Sequence, residues 1–186
     1  MNVADADSRL VARARAGDAR AFEELVRRHL RSANAVALGV LGNPADAEDV
    51  CQDAFLTALE KLDECRDPKR FAAWLMRIVR NRALNVLESR TLRQGEPLEE
   101  GTVAVEAGAG DDPGRRAEQS EMRDRLFAAL GRLPPGQREV VLLHDLEGWK
   151  HREIAGLLGT SEGATRVRLL EARRRLRAEL GTSGDE

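Results

Sequence analysis

The sequence predicts an all-α protein built from two small helical domains that are joined by a flexible acidic linker. Ala, Leu, Arg and Glu dominate the composition, whereas aromatic residues make up only 3% and Tyr is absent. Such a composition favours helices over sheets. Apolar residues recur at three- and four-residue steps in two separate blocks, which is the spacing of one helix face. The alternation typical of strands is not visible.

The first block, residues 1–89, predicts a compact helical domain. Gly42 stops the first helix, and Asn43 and Pro44 suit the N-cap and first position of the next. The predicted helices run from Ala19 to the stop at Gly42, from Pro44 to about Leu62, and from about Phe71 to Glu88.

The linker, residues 90–117, lacks helical periodicity and is rich in Gly and acidic residues, which is typical of a flexible connection. Helical periodicity returns at about Glu118, breaks at Pro134-Pro135-Gly136 and resumes at Val140. We therefore predict a second helical domain over residues 118–181, followed by a short tail, residues 182–186.

Charge is distributed unevenly along the chain. The net charge of −2 argues against a uniformly basic nucleic-acid binder. The stretch from Glu162 to Arg177, however, holds six arginines and two glutamates. Positive charge is therefore concentrated on one predicted helix near the C-terminus.

That helix is the second half of a predicted helix-turn-helix. Ile154, Ala155 and Leu158 form the inner face of a short helix, and Gly159 stands where helices commonly end in the left-handed conformation. Thr160 or Ser161 would cap the longer basic helix that follows. In a helix-turn-helix the second helix enters the major groove of DNA. An ordinary helical hairpin would give similar periodicity.

The longer helix has two distinct faces. At 100° per residue, an apolar stripe faces the core, and Val167 and Leu170 lie on the opposite side, where they suit contact with thymine methyl groups. The core stripe is Thr165, Leu169, Ala172, Leu176 and Leu180; the opposite face holds Gly163, Val167, Leu170, Glu171 and Arg174, flanked by Arg166, Arg168 and Arg175.

Several function classes lack support in the sequence. It contains no Gly-rich phosphate loop, no Gly-x-Ser-x-Gly, no HExxH and no acid pair clustered with a base, so we expect no enzyme activity and no cofactor. Cys51 and Cys65 lack metal-binding spacing, so we expect no metal site, and a redox role for either thiol stays open. Neither a signal peptide nor an apolar run of about 20 residues is visible, which predicts a cytoplasmic protein without membrane insertion.

Several segments together resemble one known family. GDARAFEELVRRHL, LGNPADAEDVCQDAFLTAL and FAAWLMRIVRNRALNVL resemble region 2 of the extracytoplasmic-function group of sigma-70 factors, and LPPGQREVVLLHDLEGWKHREIAGLLGTSEGATRVRLLEARRRLR resembles region 4. The resemblance implies a subunit that binds core RNA polymerase and recognises promoter DNA, is a monomer when free of partners, and is controlled by an anti-sigma factor. The acidic linker would then lie in the polymerase cleft, with an inert tether as the alternative.

The resemblance also implies a role for three groups of residues. An acidic face would dock on the polymerase, although acids near a helix N-terminus are stabilised by the helix dipole without any partner. A second group would capture the melted minus-10 element, although Trp74 also suits a half-buried core position. The groups are Asp46, Glu48, Asp49, Gln52 and Asp53 for the polymerase; Arg70, Trp74, Arg77, Arg80, Asn81 and Arg82 for the minus-10 element; and Arg166, Val167, Arg168, Leu170, Glu171 and Arg174 for the minus-35 element.

Two other functions stay open at this point. A stand-alone helix-turn-helix regulator would explain the second domain and leave the first without a role. A protein-interaction module that binds polymerase would use the acidic helix and would not require the arginine-rich one.

Overall fold

The computed structural model describes residues 3–93 and 113–181, and over these ranges the regular structure is helical throughout. The all-α prediction is confirmed. Two short 3-10 turns, Leu62–Glu64 and Pro68–Arg70, join the third helix to the fourth, and a π-helical turn, Leu142–Leu146, continues the sixth. The helices are α1 Val3–Arg15, α2 Ala19–Leu41, α3 Pro44–Glu60, α4 Phe71–Arg93, α5 Pro113–Gly131, α6 Pro135–Val141, α7 His151–Leu158 and α8 Glu162–Gly181.

The junction between α2 and α3 follows the predicted stop and start signals. Gly42 has a φ of 74°, the left-handed region where glycine carries no Cβ penalty, and its N–H donates to the carbonyl of Leu38. The side chain of Asn43 accepts hydrogen bonds from the backbone N–H groups of Ala45 and Asp46. These local signals direct α2 and α3 to pack against each other and against α4.

The first domain contains one helix, α1, that precedes the helices predicted from apolar periodicity. Buried Asp7 and His29 join α1 to α2, with 3.0 Å between Asp7 Oδ2 and His29 Nε2. The His29 ring lies 5.5 Å from the ring of Phe71, measured between centroids. A polar contact in the core therefore adds α1 to the α2–α4 bundle.

Two helices extend further than the periodicity predicts. α4 continues past Glu88 to Arg93, and α5 begins at Pro113, before Glu118. Both enter the segment predicted as linker. The remainder of that segment, residues 94–112, lies outside the described residues, and so does the predicted tail.

The second domain packs α5 to α8 around an apolar centre that includes Leu130, Val140, Leu143, Ile154 and Leu169. This centre is continuous with the core of the first domain, because α2 packs directly against α6 and the π-helical turn. Direct packing of the two domains was not expected from the sequence. Among the described residues, no helix combines the length and apolar character that a membrane crossing needs.

Candidate nucleic-acid and protein interfaces

α3 carries the predicted acidic face on its outer side. Its inner side is apolar and buried, from Ala47 to Ala58. Glu48, Asp49 and Gln52 are exposed, and none of the three forms an ion pair or hydrogen bond with another described residue. This part of the predicted polymerase contact is free to meet a partner.

The two ends of the acidic face are instead engaged within the domain. Asp46 pairs with Arg90, with 2.6 Å between its Oδ1 and the guanidinium Nη2. Asp53 pairs with Arg82, with 3.1 Å between Oδ2 and Nη1, and Arg82 also donates to Thr57 Oγ1. Arg82 was predicted to contact promoter DNA, but in this structure it ties α4 to α3.

Exposed leucines lie beside the acidic face, and the predicted site did not include them. Leu56 is 61% exposed and Leu59 is 48% exposed. Leu56 shares a side of α3 with Asp49 and Asp53, because residues three and four apart are neighbours on a helix. Leu56 lies off the buried apolar stripe of α3, and the helical periodicity of the sequence could have identified it as an exposed leucine.

α4 presents the predicted strand-binding face at the end of the first domain. Arg77 and Asn81 are exposed, and Trp74 is half-buried with its ring 5.8 Å from that of Phe71. Arg70 is exposed at the end of the 3-10 turn that leads into α4. The structure thus brings together an aromatic surface, an amide and two free guanidinium groups.

Arg80 points elsewhere. It lies on a different side of α4 from Asn81, and its Nε is 2.7 Å from Glu139 Oε1 of α6. Both side chains are mostly covered, with 22% of Arg80 and 6% of Glu139 exposed. The pair joins the two domains, so Arg80 is withheld from DNA in this arrangement.

The helix-turn-helix is present where it was predicted. Gly159 ends α7 with a φ of 65°, and Ser161 Oγ accepts from the N–H of Ala164 at the start of α8. Buried Thr165 donates to the carbonyl of Glu162 and contacts the ring Nδ1 of His151 at 3.0 Å. The contact between His151 and Thr165 joins α7 to α8.

Most residues of the predicted groove surface are exposed on the outer side of α8. Val167 is 57% exposed and Leu170 is 72% exposed, and Arg166 and Arg174 are exposed beside them. Exposed apolar side chains are unfavourable in water and suit contact with base edges, whereas the arginines around them suit phosphates and guanine edges.

Two predicted groove residues lie towards α6. Arg168 is half-buried near Gly136. Glu171 is half-buried and accepts a hydrogen bond from Gln137 Nε2 at 2.7 Å. One carboxylate oxygen of Glu171 is therefore already used inside the domain, and a groove contact through the other oxygen stays a prediction.

The cysteines lie in the core of the first domain. Both are free and buried. Burial, with a smaller contribution from the charge of Glu48, raises the pKa of the Cys51 thiol to about 12, and burial also raises the pKa of Cys65. Because the thiolate is the reactive form, neither position favours redox chemistry. Within residues 3–93 and 113–181, no group of three or more His, Cys, Asp or Glu could hold a metal ion.

Family models match both domains. A model described as Sigma-70 region 2 matches residues 25–93, and one described as Sigma-70, region 4 matches residues 123–176.

RNA polymerase sigma factor CnrH of Cupriavidus metallidurans is 36% identical over 194 residues, which cover the whole of both chains. ECF RNA polymerase sigma factor SigM of Mycobacterium tuberculosis is 34% identical over 94% of this chain and 85% of its own. The chain spans only 42% of the probable RNA polymerase sigma factor RfaY of Xanthomonas campestris, to which it is 34% identical.

Solved structures with a similar fold are also sigma factors. The structure of CnrH in complex with the cytosolic domain of CnrY is similar with a TM-score of 0.67 and 34% identity, covering 96% of this chain and 99% of that one. The fold also resembles that of RpoE from Bartonella quintana, solved in complex with the anti-sigma factor NepR, with a TM-score of 0.70 and 24% identity over 87% of this chain and 98% of that one. The chain therefore belongs to the sigma-70 family of RNA polymerase sigma factors, within its extracytoplasmic-function group.

Proposed function

We propose that this chain binds core RNA polymerase and directs it to promoters, with the first domain reading the minus-10 element and the second reading the minus-35 element. The observation that carries the proposal is the presence of two different surfaces in one sigma-70 chain. α8 exposes Val167 and Leu170 among arginines, and α4 exposes Arg77 and Asn81 beside Trp74. The first suits duplex readout and the second suits capture of unpaired bases.

The chain needs no catalytic activity for this role, because the polymerase synthesises the RNA. It would act in the cytoplasm, where core polymerase and promoter DNA are found. The alternative of a stand-alone helix-turn-helix regulator is not supported, because a Sigma-70 region 2 model matches the first domain, to which that alternative gives no role.

The polymerase contact would centre on the free part of α3. Glu48, Asp49 and Gln52 supply charge complementarity to a basic helical surface on the largest subunits, and such charge steers the encounter. Leu56 and Leu59 extend the patch with apolar surface, which contributes affinity when it is buried. Asp46 and Asp53 would take part only if they exchanged Arg90 and Arg82 for polymerase residues.

In the minus-10 contact, Trp74 would stack on an unpaired base, Asn81 would bond to a base or sugar, and Arg70 and Arg77 would bind phosphates. Arg80 and Arg82 would join them after release from Glu139 and Asp53. In the minus-35 contact, Arg166, Arg168 and Arg174 would bind phosphates or guanine edges, and Val167 and Leu170 would contact thymine methyl groups.

CnrH was solved with the cytosolic domain of CnrY, and RpoE from Bartonella quintana was solved with the anti-sigma factor NepR. By analogy, we propose that an anti-sigma factor also binds this chain. The regulatory signal would then reach the chain through that partner.

Run-off transcription with core polymerase on a randomised promoter library tests the proposal. The chain with core should give transcripts that begin downstream of a common pair of elements, and the chain alone should bind the same duplexes weakly at physiological salt. Tight, sequence-specific duplex binding by a dimer of the chain alone, without stimulation of transcription, would support the stand-alone regulator instead.

A charge reversal tests the polymerase contact separately. Asp49→Lys should weaken affinity for core polymerase by about tenfold, which corresponds to 1.4 kcal/mol, because an exposed acid would then repel a basic surface. Glu23→Lys is the matched control, since Glu23 is exposed on α2, away from the acidic face. Equal core affinity for the two variants, measured by fluorescence anisotropy of labelled chain, would show that the α3 face is only a solvated surface.

A further inference from the structure

The α3–α4 loop, residues 61–70, leads directly into the surface proposed to capture the melted strand. Its second 3-10 turn ends at Arg70, and α4 begins at the next residue. Arg70 and Trp74 are four residues apart, and residues with this separation are neighbours on one side of a helix. Arg77 and Asn81 continue the same side at steps of three and four residues. The path of the loop therefore decides where the first arginine of this surface lies.

Arg15 of α1 holds this loop by its backbone. Its Nη2 atom donates to the carbonyl of Leu62 at 2.9 Å and to that of Cys65 at 2.6 Å. Its Nε atom lies 3.3 Å from the same Leu62 carbonyl and 3.5 Å from Oδ1 of Asp63. Only 28% of the Arg15 side chain is exposed. A planar guanidinium that donates to two carbonyls three residues apart fixes both the shape of the turn between them and its distance from α1.

The α3–α4 loop has buried side chains at the two residues whose carbonyls Arg15 holds. Leu62 is 4% exposed and Cys65 is 1% exposed. The rest of the loop, residues 66–70, is largely exposed and follows directly after Cys65. Release of the Cys65 carbonyl would therefore free the segment that carries Arg70.

α1 is itself fixed to the core, which a support for the loop requires. Val11 is fully buried, and the buried carboxylate of Asp7 contacts His29 of α2 at 3.0 Å. The His29 ring packs on Phe71, the first residue of α4, and the Phe71 ring packs on Trp74. α1 is thus connected to the strand-capturing surface at two points, through the loop and through this row of rings.

We propose that Arg15 is a positioning residue for strand capture, which holds the α3–α4 loop so that Arg70 lies on the same side as Trp74. This inference rests on the proposed function. Arg15 does not touch DNA in this role, because its guanidinium is engaged with the loop. A preorganised surface binds more strongly than a loose one, since the loop need not become ordered when the strand arrives. Loss of Arg15 should therefore slow promoter melting and leave duplex binding by the second domain unchanged.

The hold on the loop can be measured in the full chain without polymerase or DNA, through the two native cysteines. Cys65 lies in the loop and Cys51 lies in α3, and both are buried. Labelling with iodoacetamide followed by mass spectrometry gives a separate rate for each thiol. Arg15→Ala should label Cys65 about 10- to 100-fold faster, as the loss of a charged hydrogen bond implies. The rate at Cys51 should not change, because only the loop is released.

The charge of Arg15 acts against this result, so faster labelling has one interpretation. Burial raises the pKa of the Cys65 thiol, and the nearby positive charge of Arg15 partly offsets that rise. Removal of the charge alone would lower the thiolate fraction and slow the labelling. Faster labelling of Cys65 would therefore report exposure of the loop. Arg9→Ala is the matched control and should change neither rate, since Arg9 is an exposed arginine of the same helix without an ion pair to another described residue.

Arg15→Lys separates the hydrogen-bond geometry from the charge. Lysine keeps the positive charge and lacks the planar fork that donates to two carbonyls. Arg15→Lys should therefore label Cys65 faster than the parent chain does and should also melt promoters more slowly. Melting at the parent rate by Arg15→Lys, together with slow melting by Arg15→Ala, would show that Arg15 acts through its charge alone. Faster labelling of both thiols in Arg15→Ala would reveal unfolding, and the comparison would then use the lysine variant.

Stopped-flow fluorescence of 2-aminopurine, placed in the minus-10 element of a promoter from the run-off selection, measures melting by core polymerase with each chain. If the released loop is competent in about 10% of molecules, Arg15→Ala should open the promoter about tenfold more slowly, with unchanged affinity of the closed complex. Unchanged labelling of Cys65 in both Arg15 variants would overturn the hold on the loop. Faster labelling with normal melting would show that the loop has no part in strand capture. A parent chain that never forms an open complex would refute the proposed function, while thiol labelling would still report whether Arg15 holds the loop.

Discussion

α4 and α8 are both long helices with a buried apolar side and several arginines, yet their polar sides differ. On α8 the groove face is open, with Val167 and Leu170 exposed beside Arg166 and Arg174. On α4 two of the predicted phosphate contacts are neutralised within the protein, one by Glu139 and one by Asp53.

This difference shows that the two surfaces proposed to bind the promoter are not equally accessible. The surface of the second domain that is proposed to read duplex DNA is already exposed. In the surface of the first domain that is proposed to capture a single strand, the aromatic and amide part is accessible, whereas Arg80 and Arg82 would have to exchange their partners. We therefore expect mutations on α4 to affect a conformational step, and mutations on α8 to affect a simple binding equilibrium.

The largest expected effect is that of Trp74→Ala combined with Asn81→Ala. Loss of stacking on one base costs about 1–3 kcal/mol, which predicts a 5- to 150-fold slower formation of open complex. The closed complex should form normally, because the second domain is unaltered. Permanganate footprinting of thymines on duplex promoters measures the melting step.

Premelted bubble templates are the control for this double variant, since they remove the need to open the duplex and should restore much of the lost activity. Normal melting rates on duplex promoters would show that Trp74 is a half-buried core residue without a role in strand capture.

An intermediate effect is expected at Glu171, which is half-buried and therefore less exposed than its neighbours on the outer face of α8. Glu171→Arg removes the carboxylate that accepts a hydrogen bond from Gln137 Nε2. The Oε1 atom of the same Gln137 side chain is already buried without a hydrogen-bond partner. The free energy of unfolding should fall by about 1–3 kcal/mol. DNA affinity should nevertheless rise, with a steeper salt dependence, because a negative charge near phosphates is reversed.

Glu171→Gln is the matched variant, because it keeps an acceptor for Gln137 and removes only the charge. Its stability should stay close to that of the parent chain. If the remaining carboxylate oxygen reads a cytosine amino group, selection on a minus-35 library should show relaxed preference at one base pair in both variants. An unchanged preference would place Glu171 outside the groove.

The smallest expected effect concerns an arginine of α8 that holds the helix in place. Arg173 donates to Asp145 at 2.6 Å, and this bond, with a smaller contribution from His144, lowers the pKa of Asp145 below its ordinary value of 3.8. Asp145→Asn should reduce the free energy of unfolding by about 0.5–1 kcal/mol at pH 7, as for other partly exposed ion pairs.

The pH dependence of this loss has a definite sign. Because the pKa of Asp145 is lower in the folded chain than its ordinary value of 3.8, the ion pair stabilises the fold fully at a pH above that value. The stabilisation disappears as the pH falls through the lower pKa of the folded chain. The difference in the free energy of unfolding between Asp145→Asn and the parent chain should therefore be largest at pH 7 and should shrink below about pH 4. Urea titrations of the two chains at pH 7 and below pH 4 measure this difference.

The sequence by itself determined most of the helices and the polar faces they carry, although not α1. Gly42 and Asn43 marked the end of α2 and the start of α3, and Gly159 and Ser161 marked the turn of the helix-turn-helix. Such signals are local, because capping and the left-handed conformation depend on neighbours within a few residues. The periodicity also separated the buried side of α8 from its exposed Val167 and Leu170.

Only the tertiary structure decided which charged residues are free. Arg80 and Asn81 are adjacent in the sequence, but one is paired with Glu139 and the other is exposed. Gln137, Arg138 and Glu139 are three consecutive polar residues, and all three are buried. Burial of a charge depends on a partner distant in the chain that supplies the opposite charge or a hydrogen bond. The partners of Arg80 and Arg138 lie 59 and 99 residues away, a separation that local periodicity cannot detect.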